Sequence, residues 1–146
     1  RCEKDIKEWG YKFHMNDINA TIGLHNLPHI TSNLQCHRDN ASYYFNELKD
    51  IDGISLLENA NDREGSWWLF TFLVNNKNSF IENMKKKGIM TSQVHQRNDT
   101  HSCVKKYLEK LNNLDRFENN IICIPVGWWI TKDDRQYIVK CIKESL

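Results

Sequence analysis

Ser66-Trp67-Trp68-Leu69-Phe70-Thr71-Phe72-Leu73-Val74 is the stretch on which the reading of the whole chain turns. Strand alternation puts Trp68, Phe70, Phe72 and Val74 on one side and Trp67, Leu69, Thr71 and Leu73 on the other, so both faces are largely apolar. This predicts a sheet-interior strand over 66–74.

Upstream, the polar run 59–65 separates this strand from a short strand candidate at 54–57, and before that the apolar period changes to three and four residues. Asn16 is placed to cap a first helix carrying Ile18, Ala20, Ile22, Gly23, Leu24 and Leu27. It stops at Pro28, which suits the first turn of a second helix with Ile30, Leu34, Ala41, Phe45 and Leu48 on one stripe. That helix should run to about residue 50, with Gly53 just beyond its end. A long helix with so narrow a stripe suits a bridge between two bodies of protein.

Downstream, Ser79 and Glu82 have capping-box spacing at the head of a helix packing Phe80, Ile81 and Met84 and ending at Gly88. A strand is expected over 89–94. A helix starting at Thr100 or Ser102 follows, with Val104, Tyr107, Leu108 and Leu111 on one face, then a helical turn through Leu114, Phe117 and Ile121. Residues 122–126 read as a short strand, and Thr131 caps a last helix with Ile138, Val139, Ile142 and Leu146. The fold class is α+β: a small antiparallel or mixed sheet with packed helices, preceded by two helices that the sheet does not fully cover.

The chain has 146 residues, the common size of one domain. Hydrophobic residues make up 40% and charged residues 27%, as in globular proteins. A formal charge of +1 gives no field to draw it to nucleic acid or anionic lipid. No apolar run approaches the roughly 20 residues of a membrane span. The five cysteines are odd in number and irregularly spaced, which points to free thiols in a reducing, cytoplasmic setting. Cys36, Cys123 and Cys141, inside apolar periodic segments, are expected to be buried. His25 and His29 have i, i+4 spacing, but Pro28 interrupts the helix that would align them, so no metal site is expected.

Two clusters carry candidate chemistry. In 10–17, Lys12 and His14 alternate with Tyr11, Phe13 and Met15 beside a helix start, an arrangement that can hold a phosphate. The alternative is a solvated entry segment whose aromatics staple the helix. In 94–99, at a strand end, Arg97 can fork onto a phosphate or carboxylate with His95 donating to the same anion. The alternative there is a surface pair between Arg97 and Asp99. The adjacent pairs Trp67-Trp68 and Trp128-Trp129 offer core on one face and a stacking platform on the other, with Trp68 the candidate for contact with substrate.

The run Trp9-Gly10-Tyr11-Lys12-Phe13-His14-Met15-Asn16-Asp17-Ile18, then Ala20, Ile22-Gly23-Leu24 and Leu27, resembles the segment after the active-site lysine in DegT-like nucleotide-sugar aminotransferases. Arg38, Tyr43-Tyr44, Trp68-Leu69-Phe70, Lys87-Gly88-Ile89, Val94-His95 and Ile124-Pro125 agree in order, so the resemblance covers nearly the whole chain. It implies an enzyme that uses pyridoxal phosphate to move an amino group from an amino acid, glutamate foremost, to a keto nucleotide-sugar. It implies a small C-terminal domain at 54–146 like that of fold-type I aminotransferases, and bridging helices in 1–53 that contact a large N-terminal domain. It further implies a homodimer in which Lys12 and His14 reach the cofactor phosphate or the substrate across the subunit boundary, while His95 lies near the substrate.

Lys12 and His14 stand where many members carry Asn and Arg, and Gln96-Arg97-Asn98 replaces the usual Tyr-Pro. Only 11 residues precede the motif proper, so by resemblance the Schiff-base lysine and the main phosphate cradle lie outside the chain, which alone should be inactive and hold no cofactor. A stand-alone, non-catalytic nucleotide-binding or interaction module derived from that domain is the alternative.

Overall fold

In the computed structural model, which describes residues 5–11, 15–94 and 96–146, the central strand is β2 (Phe70–Val74). It pairs antiparallel with β1 (Ile54–Leu56) on one side and β3 (Ile121–Ile124) on the other, giving a three-stranded antiparallel sheet in the order β1-β2-β3. The register sets Phe70 opposite Ile124 and Phe72 opposite Ile122. These four side chains and Val74 are buried in the core, and each large one contributes about 1.5–3 kcal/mol by leaving water.

Three helices cover that face. α2 (Ile30–Leu48) brings Ala41, Tyr44 and Leu48, α3 (Lys77–Lys86) brings Phe80 and Met84, and α5 (Lys132–Lys143) brings Ile138, Val139 and Ile142. On the opposite face Thr71 lies beside Cys123, their Oγ1 and Sγ atoms 3.4 Å apart, and α4 (Asn112–Asn120) packs against β2.

The local signals at three helix ends hold. Asn16 Oδ1 accepts the Asn19 amide at 2.9 Å at the head of α1 (Asp17–Asn26). Thr131 and Asp134 form a reciprocal capping box at the head of α5. Gly88, at φ +77°, ends α3 in the left-handed conformation that a Cβ would strain.

Several expectations are corrected. The strand expected over 66–74 begins only at Phe70, because Trp67 adopts φ +49° and breaks the alternation. The Trp67 ring thereby packs on Phe45 and Phe70, joining the face assigned to Trp68, while Trp68 is 70% exposed. The strand expected over 89–94 shrinks to one antiparallel bridge between Ser92 and Cys123. α3 starts at Lys77, two residues before Ser79, so the Ser79–Glu82 box does not form. Ser102–Tyr107 is a 3₁₀ helix rather than an α-helix.

Cys123 and Cys141 are buried as expected, but Cys36 is exposed, in the N-terminal half of α2, where no residue before Asn40 is buried. In that same half, Ile30 of the expected stripe is 57% exposed. Leu146 lies beyond the end of α5 and is 48% exposed. No residue of α1 is buried, and Ile18, Ile22 and Leu24 stand more than half exposed on it.

Candidate substrate cleft

The two clusters singled out in sequence, at 10–17 and 94–99, border segments that meet in the fold. The Ile6 amide donates to Nδ1 of His101 at 3.3 Å, and the Cys103 amide donates to the Ile6 carbonyl at 3.0 Å. The Asp5 carboxylate accepts from both the amide (2.8 Å) and the hydroxyl (2.7 Å) of Ser102. These hydrogen bonds clasp the entry segment to the turn that follows residue 97. With Nδ1 of His101 accepting, its neutral ring carries the proton on Nε2. Ser102 holds the Asp5 carboxyl below the usual carboxylate range, first through its hydroxyl and then through its amide.

Between the two segments lies an open cleft of about 700 Å³, walled by Trp9 and Tyr11 on one side and by Asn98, Asp99, His101 and Tyr107 on the other. Aromatic faces and a few polar groups in one concavity are the usual furniture of a small-molecule site. Lys12, His14 and His95, the anion ligands expected from sequence, lie outside the described residues.

Arg97 is described, and its geometry is that of the ion-pair alternative. Nε and Nη2 fork onto Asp99 at 2.8 and 2.5 Å, Nη1 bonds Asp115 of α4, and Glu118 lies 3.9 Å from Nη1. The side chain is only 13% exposed, so this fork is held rather than solvated. Asp99 is correspondingly pulled below its ordinary range by the Arg97 hydrogen bonds and charge. Arg97 is held yet further above its already high range by Asp99 and Asp115.

The tryptophans form a second feature, beside His37 and Arg38 of α2. His37 Nδ1 donates to the Trp67 carbonyl at 2.8 Å, and Arg38 reaches the Gly65 carbonyl at 3.2 Å and Glu64 at 2.9 Å, which holds the 64–67 turn in place. Trp129 sets its edge against His37 and lies so close over Gly127 that a Cβ there would fall 2.3 Å from the ring. Trp128 helps line a hollow of about 630 Å³ with Asn26, Asn33, His37 and Ser66. Trp68 is outside the lining of both hollows. Among the described residues no cluster of His, Cys, Asp or Glu is arranged to hold a metal ion, and no helix is long and apolar enough to cross a membrane.

Sequence reasoning missed Asp5, Ile6, Trp9 and Tyr107 as parts of this site. No local signal could have shown them, since the entry-segment contacts span 95 to 97 positions.

Fold and cleft together define a small α+β fold with an open, aromatic-walled cleft and a first helix none of whose residues is buried. Comparison with known proteins gives its kinship: residues 1–143 match the model of the DegT/DnrJ/EryC1/StrS aminotransferase family, and the chain belongs to that family. It is similar to the sugar aminotransferase CalS13 from Micromonospora echinospora (43% identity, TM-score 0.86), covering 95% of this chain and 38% of that one. AtS13 from Actinomadura melliaura is similar at 41% identity and TM-score 0.85, over 97% of this chain and 38% of the other. Over 97% of its length the chain is also 23% identical to the dTDP-4-amino-4,6-dideoxy-D-glucose transaminase of Shigella dysenteriae, covering 41% of that protein. The chain thus spans about two fifths of the length of these relatives.

Proposed function

We propose that these residues form the C-terminal part of a pyridoxal-phosphate-dependent aminotransferase that moves an amino group from an amino acid, glutamate foremost, to a keto group of a nucleotide-linked sugar in the cytoplasm. The observation that carries this reading is the similarity at 43% identity to a sugar aminotransferase across 95% of the chain. In it, 54–146 is the small domain and 1–53 supplies helices that lie against a large domain and across a homodimer boundary. The uncovered apolar residues Ile18, Ile22 and Leu24 support this, because a ten-residue helix with nothing buried has little stability of its own.

Pyridoxal phosphate supplies the electron sink for amino transfer. Its phosphate needs cations or N–H donors, whereas Glu8 and Asp99 line the cleft and the charge of Arg97 is already met by Asp99 and Asp115. The described residues do not by themselves fit that phosphate. The proposal therefore assigns the Schiff-base lysine and the main phosphate cradle to protein outside these 146 residues, with Lys12 and His14 as the contribution from the neighbouring subunit. His95 is assigned to the sugar nucleotide and Trp68 to stacking on it. Arg97 belongs to the substrate site as the residue that organises its wall, and would meet a diphosphate only by leaving Asp99 and Asp115.

The test has two arms. Borohydride reduction of this chain with pyridoxal phosphate should label no single lysine, and one stoichiometric lysine would overturn the assignment. A longer protein read from the same frame should aminate one of a panel of 4-keto nucleotide sugars with glutamate as donor; no amination of any would remove the proposed reaction.

A further inference from the structure

The clasp at Asp5, Ile6, His101, Ser102 and Cys103 rests on the 98–101 turn, which itself belongs to no strand or helix, so side chains must fix its shape. Arg97 stands where that support is needed. Its guanidinium forks onto Asp99 two residues on, its third nitrogen ties the same turn to Asp115 of α4, and its carbonyl accepts the Thr100 hydroxyl at 3.3 Å. The Asn98 carbonyl then accepts the His101 amide at 3.4 Å, which brings the His101 ring and Ser102 to the entry segment. Without the guanidinium, Asp99 and Asp115 would lose the cation that both carboxylates bond, and like charges brought together in that way repel.

We propose that Arg97 is a positioning residue: through Asp99 and the 98–101 turn it holds the entry segment in place and keeps His101 in its Nε2–H form, so setting the width of the cleft. The mechanical part stands on the contacts above. Its effect on substrate binding rests on the cleft being the sugar-nucleotide site.

The test is nitrogen-15 NMR on the 146-residue chain. In the native protein His101 should show one tautomer, with slowed exchange at the amides of Ile6, Ser102 and Cys103. Arg97→Ala should release His101 to a tautomer mixture and speed those three amides by at least about tenfold, with β2 and β3 amides within about twofold of native, as for a local opening. Asp99→Asn should do the same, and the double variant should add little to either, since the two side chains act as one unit. Unchanged exchange at the three amides, or additive effects, would overturn the proposal; if Arg97→Ala fails to fold, Asp99→Asn decides it alone. In the longer aminotransferase, Arg97→Ala should raise KM for the sugar nucleotide more than it lowers kcat. Loosened amides with an unchanged KM would keep Arg97 as the positioning residue and instead remove the cleft from the substrate site.

Discussion

The hydroxyl of Tyr44 donates to the Pro125 carbonyl at 3.1 Å, tying the C-terminal part of α2 to the residue that follows β3. The ring is fully buried beside Phe70, so one side chain both fills the core and satisfies a backbone acceptor where the last strand ends. Burial pushes the Tyr44 phenol well above its usual range, which favours the protonated, donating form.

Tyr44→Phe keeps the packing and orphans the Pro125 carbonyl. The expected loss is about 1–2 kcal/mol, read as a lower urea midpoint at unchanged slope. A midpoint equal to native would mean that water replaces the hydroxyl.

Thr131→Ala removes half of the capping box at α5, where Thr131 Oγ1 accepts the Asp134 amide at 3.1 Å and bonds its carboxylate at 2.7 Å. It should cost about 1 kcal/mol. Faster amide exchange confined to the first turn of α5 would locate the effect.

Gly127→Ala would set a methyl against the Trp129 ring. The indole is half-exposed and can swing away, so the cost should be about 1 kcal/mol and the larger signal spectroscopic. Loss of the Trp129–His37 edge contact should appear as a changed near-ultraviolet circular dichroism spectrum.

Asp5, Asp99 and Asp134 are all held below the ordinary carboxylate range, by Ser102, Arg97 and Thr131 respectively. A depressed folded-state value stabilises above the unfolded value, near 3.9. That contribution is lost as pH falls through the lower folded value. The chain should therefore lose stability below about pH 4, and Asp5→Asn should weaken the clasp near neutrality while flattening this acid slope. Urea midpoints across that range, with Ser102 exchange followed in parallel, would check both parts.

Much of the fold was legible because its signals are local. Asn16, Thr131 and Gly88 act on backbone groups within four residues, and the apolar periods around Leu48, Phe72 and Ile138 recur within one element. The errors fall where a distant partner overrides the local pattern. Trp67 reads as a strand residue, yet His37, thirty positions away, takes its carbonyl, and Phe45 takes its ring. Residues 89–94 read as a strand, yet their sheet pairing is a single β-bridge, from Ser92 to Cys123.

The site divides in the same way. Residue types and order along the chain brought Lys12, His14, His95 and Arg97 into view as anion chemistry beside a helix start and a strand end. The tertiary structure alone joined the flanks of those two clusters through Ile6, His101 and Ser102, and it turned Arg97 to the Asp99 pair that the sequence offered as the alternative and added Asp115 of α4 to it. The physical reason is range: helix caps and apolar stripes act across one or two turns of chain, whereas a cleft wall and an ion-pair network depend on which distant groups packing brings within about 3 Å of one another.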